Sequence, residues 1–307
     1  LIWSYLTKAS RRSGWPVATI KAIAPAKVNL TLHVTGQRAD GYHLLDSLVV
    51  FAGVADQLTA TVAPQTRMSV NGPFSVGVPE DERNLMVRAA LALGQARGVD
   101  LGAMLTLEKH LPHAAGIGSG SSDAAVTLAM LAELWGVEPL PAHAPEVVAL
   151  GADVPVCLRA PNPTRMEGIG EKLSDVPQLP PCAIVLVRPP VDVPTGQVFN
   201  MMSDKNGAPM TPIPEGADFD GFVDWLSPQR NDMQAAAEQI APEISEVIAK
   251  LKSLPGVRIA GMSGSGATCF GLVKDMATAR HVARIVQVSQ MDWWVAPAEV
   301  LGTGHVY

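Results

Sequence analysis

Residues 112–125 read Pro-His-Ala-Ala-Gly-Ile-Gly-Ser-Gly-Ser-Ser-Asp-Ala-Ala. Gly116, Gly118 and Gly120 carry no Cβ, so the backbone there can take left-handed φ and come close to a ligand. Ser119, Ser121 and Ser122 add hydroxyls, and an apolar helical run starts at Ala124. A glycine-serine loop feeding a helix offers unpaired N–H groups and the positive end of the helix dipole, which together suit phosphate. The plainer alternative is a serine-capped helix after a flexible loop. The stretch is not a Walker A, because no Gly-Lys-Ser/Thr follows the glycines, and it lacks the third glycine of the dinucleotide fingerprint. A phosphate loop without lysine draws its positive charge from elsewhere in the chain or from a metal.

Other positions could supply the rest of a phosphoryl-transfer site. Lys27 opens a strand pattern, with Asn29 two residues on and so on the same face. An ammonium there is either a solvated lysine or a cation that stabilises a reacting oxygen. Asp153, in Gly-Ala-Asp-Val-Pro, is either a helix N-cap or a carboxylate that accepts the proton of an attacking hydroxyl. Residues 261–271, Gly-Met-Ser-Gly-Ser-Gly-Ala-Thr-Cys-Phe-Gly, form a second glycine-serine loop: a tight hairpin, or a lid over phosphates. Tyr42 and His43 follow the Asp40-Gly41 turn, as ordinary hairpin-tip aromatics or as a platform on which a base stacks. His110 and His113 flank the phosphate loop and read as surface or loop residues.

These residues need elements to hold them. Alternation from Val28 to Val34 predicts a half-buried strand, the run Leu44–Phe51 a second, and Leu58–Val62 and Met68–Val70 two more. Residues 82–97 predict a helix closed by Gly98, 101–108 a strand, and 121–135 a helix ended by Gly136. A short helix covers 145–150. The Pro/Gly-rich stretch 161–181 reads as a boundary, 183–187 as a buried strand and 203–217 as a loop. A helix opens at Pro242, and 257–296 follows a β-β-α-β pattern. The division expected is an extension over 1–19, loose in structure, then domains at 20–165 and 166–307.

Composition narrows the class. The chain has 307 residues, 48% apolar and 17% charged, with a formal net charge of −6. Such a balance fits a globular protein and argues against a nucleic-acid partner. A polyanionic ligand therefore needs local attraction. Cys157, Cys182 and Cys269 form no CxxC pair or zinc-like cluster, which fits buried thiols in a reducing compartment. No apolar run approaches the ~20 residues of a membrane span, and no signal peptide is read near Lys8, Arg11 and Arg12. The expected location is the cytoplasm, with no membrane partner; the oligomeric state is not legible.

Taken together the motifs resemble the GHMP kinases, the superfamily of galactokinase, homoserine kinase and mevalonate kinase. Pro112–Ser122 matches the central Pro-x-x-x-Gly-Leu-Gly-Ser-Ser motif, and Gly261–Gly266 the C-terminal glycine-rich one. Pro-Ala-Lys-Val-Asn-Leu at 25–30, Gly-Gln-Arg-Ala-Asp-Gly-Tyr-His at 36–43, Asn-Leu at 84–85 and Gly-Ala-Asp-Val-Pro at 151–155 point to the branch acting on a cytidyl diphosphate alcohol. Ile117 stands where leucine is usual, and Ser119 where this branch often has glycine. The resemblance runs from about residue 20 to the end.

The resemblance implies an α/β fold with a ribosomal-protein-S5-like N-terminal lobe and a ferredoxin-like C-terminal lobe. It implies transfer of the γ-phosphoryl of ATP to the 2-hydroxyl of 4-diphosphocytidyl-2-C-methyl-D-erythritol, with Mg²⁺ on the phosphates and no protein metal ligand assigned. Asp153 matches the catalytic base and Lys27 the catalytic lysine, with Asn29 facing substrate. Tyr42, His43 and Phe199 match residues holding the cytosine, with Thr195 nearby. Asn84 and Lys109 match positions near the adenine. Pro112, His113, Ala114, Ala115, Gly116, Ile117, Gly118, Ser119, Gly120, Ser121 and Ser122 wrap the ATP phosphates. The alternatives are another small-molecule kinase of the superfamily, of homoserine or mevalonate type, and a non-catalytic nucleotide sensor.

Overall fold

A computed structural model describes residues 18–303 and the backbone of 5–8. In chain order the first elements are strands β1 (Tyr5–Lys8), β2 (Ala18–Asn29), β3 (His33–Gln37), β4 (His43–Ala63) and β5 (Arg67–Asn71). Helix α1 (Leu85–Arg97), strand β6 (Gly102–Glu108) and helices α2 (Ser119–Trp135), α3 (Pro145–Leu150) and α4 (Val154–Cys157) follow. Then come strands β7 (Thr164–Gly168), β8 (Lys172–Asp175) and β9 (Ala183–Arg188), and helices α5 (Thr195–Met201), α6 (Phe219–Leu226), α7 (Gln234–Ile240) and α8 (Glu243–Lys252). Strands β10 (Ile259–Met262) and β11 (Cys269–Val273), helix α9 (Met276–Ser289) and strand β12 (Trp294–Glu299) close the sequence of elements. None of the described helices is long and apolar enough to cross a membrane.

Two compact units emerge, each built from separate stretches of chain. The first joins 1–26, 55–113 and 118–159. In it the second half of β4 pairs antiparallel with β6, Gln57 opposite Glu108, and β5 pairs parallel with β6. Leu105 and Leu107 of β6 are buried, and α1 and α2 pack on each other through alanine-rich faces. Asn84 caps α1, its Oδ1 accepting from Met86 N at 2.9 Å, which satisfies one of the orphan donors of a helix start. Most of the expected extension over 1–19 lies outside the described residues. The part that is described, β1, pairs antiparallel with the start of β2, Tyr5 opposite Lys21.

The second unit joins 27–54, 114–117 and 160–307. Its antiparallel sheet has the order β10-β11-β9-β12, all five described pairs of β11 with β9 running Cys269 opposite Val187 to Val273 opposite Ala183. With helices between β9 and β10 and α9 between β11 and β12, this is the expected ferredoxin-like arrangement. Its core gathers Val185 and Val187 with Ile244, Val247, Leu251, Val282 and Val286.

Three readings of the sequence need correction. Residues 161–181 are not a linker: they hold β7 and β8, which pair with each other, and β7 also pairs with the first half of β4. The prolines and glycines there mark the strand ends, and Arg165 of β7 is fixed across the ladder by Asp46 of β4 at 2.8 Å. The strands expected at 44–51 and 58–62 are one strand, β4, of 21 residues. The half-buried strand expected over 28–34 bends after Asn29, and its polar residues are inside: Asn29, Thr31 and His33 are buried.

Candidate active site

In the second unit, three successive carbonyls of the glycine-serine loop have partners. Ala115 O accepts from Thr268 N at 3.2 Å, Gly116 O from Ser263 Oγ at 2.9 Å, and Ile117 O from Lys27 N at 3.0 Å. In a trans peptide the next residue's N–H points the opposite way. The N–H groups of Gly116, Ile117 and Gly118 therefore turn away from these partners, and among the described residues none of the three has an acceptor. Left-handed φ at Ala114 (51°), Gly116 (74°) and Gly118 (56°) fixes this course. Successive backbone amides without a protein acceptor suit an anion.

In the first unit the chain enters α2. The helix starts at Ser119, two residues earlier than expected, because left-handed Gly118 is the N-cap and no side chain caps it. The plain serine-capped reading therefore fails. Ser119 Oγ donates instead to Pro112 O at 3.2 Å. Gly120 and Ser121 are on the more accessible side of the first turn, while Ser122 is buried and its Oγ has no partner among the described residues. An orphaned hydroxyl on a helix's first turn fits a phosphate oxygen. His113 is exposed ahead of the loop.

Lys109 lies below this helix. Its ammonium, 2% exposed, contacts Asp56 Oδ2 at 2.6 Å and Asp123 Oδ2 at 2.7 Å. Asp56 Oδ1 also accepts from the backbone N of His110 and Leu111. The cluster ties the end of β6 and the middle of β4 to the second turn of α2. Burial opposes the Lys109 charge, but the two carboxylates outweigh it and raise its pKa. Burial pushes the Asp123 carboxyl up to about 7 against the pull of Lys109.

Lys27 is not a solvated lysine: it is 3% exposed. Its Nζ donates to Asn29 Oδ1 at 2.8 Å, so the two residues expected on one face meet. Asn29 Nδ2 donates to Ser47 Oγ at 2.8 Å, and Asn29 N donates to Ser263 Oγ at 3.1 Å. Ser263 belongs to the second glycine-serine loop, which joins β10 to β11. Its hydroxyl thus links the Lys27 strand to the Gly116 carbonyl.

Asp153, in the first unit, sits at the N-cap position of α4 but its carboxylate makes no capping bond. The capping alternative does not account for an acid there.

Back in the second unit, the β3–β4 turn is held by Arg38 and Asp40, 2.7 Å apart, and by Arg38 N donating to Tyr42 O at 2.8 Å. Tyr42 is 60% exposed. His43 stacks on Phe199 with ring centroids 4.2 Å apart and planes 9° from parallel. His43 Nε2 is buried without a partner among the described residues. Burial, and then the nearby Lys205 charge, lowers the His43 pKa. Phe199 and Thr195 lie one turn apart on α5, and Thr195 Oγ1 is 2.8 Å from Ser265 Oγ.

The comparisons with known proteins agree with this geometry. A profile described as the GHMP kinases N terminal domain matches residues 84–160, and one described as GHMP kinases C terminal matches 218–290. A 4-diphosphocytidyl-2-C-methyl-D-erythritol kinase of Jannaschia sp. is 52% identical over 92% of this chain and 98% of its own length. One from Cereibacter sphaeroides is 48% identical over 92% and 99%. The chain belongs to the 4-diphosphocytidyl-2-C-methyl-D-erythritol kinase family of GHMP kinases. A crystal structure of 4-(cytidine 5'-diphospho)-2C-methyl-D-erythritol kinase superposes with TM-score 0.74 at 33% identity, covering 92% of this chain and 99% of that one. Leishmania major mevalonate kinase shares the GHMP kinase fold, with TM-score 0.67 at 14% identity.

In this GHMP kinase the two residues read on one strand face, Lys27 and Asn29, do meet. Sequence reasoning singled out neither Ser47 nor Asp56, and it read Ser263 and Asp123 only as parts of longer motifs. A lone aspartate inside an apolar strand, as at Asp56, was the available signal of a buried charge awaiting a partner.

Proposed function

We propose that the chain transfers the γ-phosphoryl group of ATP to the 2-hydroxyl of 4-diphosphocytidyl-2-C-methyl-D-erythritol. The observation that carries this choice of acceptor is the parallel His43–Phe199 pair with its orphaned Nε2. A stacked aromatic platform beside an unused ring nitrogen suits a pyrimidine laid against its outer face, and a homoserine or mevalonate acceptor has no ring to place there.

In this reading Asp153 accepts the proton of the 2-hydroxyl as its oxygen attacks the γ-phosphorus, and the bond to the β-phosphate oxygen breaks to release ADP. Lys27, held by Asn29, stabilises the charge on the transferring group. The loop amides from Gly116 to Ser119 and the Ser122 hydroxyl bind the phosphates. Mg²⁺ is expected on the ATP phosphates, with no protein ligand assigned to it. Its chemistry there is charge neutralisation on the phosphates. Asn84 and Lys109 shape the adenine end, Lys109 through its ion cluster. Tyr42 covers the cytosine and Thr195 borders it. A cytoplasmic location completes the reading.

The test is ADP release with ATP and each of three acceptors: the cytidyl diphosphate alcohol, homoserine and mevalonate. Turnover with the first alone is expected. Turnover with homoserine or mevalonate, and none with the first, overturns the assignment.

A further inference from the structure

The amide of Asn29 has an oxygen end and a nitrogen end, and its neighbours decide which one faces Lys27. Oδ1 accepts from Lys27 Nζ, and Nδ2 donates to Ser47 Oγ, each at 2.8 Å. Ser47 Oγ lies 2.5 Å from the carbonyl oxygen of Thr31. A carbonyl only accepts, and a serine hydroxyl has one proton. That proton is committed to Thr31, so toward Asn29 the hydroxyl can only accept. The amide must then present its NH₂ to Ser47 and its oxygen to Lys27.

The opposite orientation would aim two N–H donors at an ammonium. Nothing nearby could absorb that error: Asn29 is 1% exposed, and Thr31 and Ser47 are fully buried. Buried polar groups gain most from correct pairing and lose most from a wrong one. The reference point is itself fixed. Thr31 Oγ1 accepts from Leu48 N at 2.8 Å, and the Asn29 backbone is held by Ser263.

We propose that Ser47 is a positioning residue: by setting the amide polarity of Asn29 it orients the Lys27 ammonium for phosphoryl transfer. The role of Lys27 rests on the proposed function; the amide polarity does not. Ser47, fully buried, acts through Asn29.

The experiment compares the full chain with Ser47→Ala, Ser47→Cys and Ser47→Thr variants by steady-state kinetics. It also follows the Asn29 side-chain NH₂ signal by ¹⁵N NMR, assigned by its loss in Asn29→Asp. Ser47→Ala should lower kcat roughly tenfold, the scale of one buried hydrogen bond, with KM for ATP within about twofold of the wild type. The Asn29 signal should shift and exchange faster with solvent. Ser47→Cys keeps the volume but accepts weakly, so it should behave like Ser47→Ala even if that variant folds poorly. Ser47→Thr keeps the hydroxyl and should restore both readouts.

Wild-type kcat with an unchanged Asn29 signal in the Ala and Cys variants overturns the proposal. So does a parallel fall in kcat, substrate affinity and thermal midpoint that Thr does not rescue, because that marks a purely structural role. If the wild type phosphorylates no cytidyl diphosphate acceptor, the proposed function fails. The NMR arm then decides alone: an altered Asn29 signal upholds the polarity set by Ser47, and an unaltered one overturns it.

Discussion

Gly264 and Gly116 meet backbone to backbone. A Cβ on Gly264 would lie 2.8 Å from Gly116 O, and one on Gly116 would lie 2.4 Å from Ser263 O. Both glycines have left-handed φ, 57° and 74°. The second glycine-serine loop thus presses on the carbonyl side of the first, the side away from which its amides point. In the second unit, the second glycine-serine loop braces the first.

Gly116→Ala should therefore be costly twice over, through positive φ and through contact with backbone that cannot move aside. A stability loss of roughly 2–4 kcal/mol is expected from these two sources. Thermal unfolding and ATP-binding calorimetry check it. Unchanged ATP affinity in a folded Gly116→Ala protein would contradict a phosphate-binding role for the loop amides.

Asp153→Asn should leave ATP binding close to wild type and lower kcat by roughly 10²–10⁴-fold, the usual contribution of a general base. Calorimetry with an ATP analogue and an ADP-release assay separate the two effects. Nearly intact turnover would remove Asp153 from the proton-transfer role.

Tyr42→Ala and Phe199→Ala should each raise KM for the cytidyl substrate while barely moving that for ATP. Stacking on one base accounts for ~1–3 kcal/mol, or roughly ten- to a hundredfold in affinity. Equal weakening toward both substrates would refute a base-stacking role.

Lys109→Met should destabilise strongly, because it leaves Asp56 and Asp123 buried without their cation. Breaking a buried pair from one side costs about 3–5 kcal/mol. Chemical denaturation measures the loss. A stable Lys109→Met enzyme with weakened adenine binding would instead make Lys109 a direct nucleotide ligand.

Stability should fall as pH rises between the ordinary carboxyl value of 3.8 and about 7, the value to which burial lifts Asp123. In that window the folded protein holds a proton that the unfolded chain has released, so raising pH favours unfolding. Above about 7 the contribution is lost and the curve flattens. Lys109, with its pKa raised, stays charged throughout. Asp123→Asn should remove most of the slope in thermal midpoints recorded from pH 5 to 8.

What the sequence revealed depended on how local each cause is. Gly98 and Gly136 end α1 and α2 in left-handed conformations, as glycine at a helix end foretells. The strand β4 was read as two runs; Asp56, between them, is satisfied by Lys109, 53 residues later. Helices α5, α6 and α7, of 7 or 8 residues each, went unread. At the site, Lys27 and Asn29 were legible from spacing of two. Their partners were not: Ser47 lies 18 residues from Asn29 and Ser263 lies 234. Nothing local marks such a serine, and the burial of Lys27 follows only from contacts made at that range.

The tethering of the Ala115, Gly116 and Ile117 carbonyls has a thermodynamic corollary. A loop whose peptide planes are already immobilised loses little conformational freedom when a nucleotide arrives, so the rigidity is established during folding rather than during each catalytic cycle. Nucleotide capture should therefore show only a small unfavourable ordering entropy for this segment, and the glycines that make the chain floppy when unfolded become the reason the folded cradle is stiff.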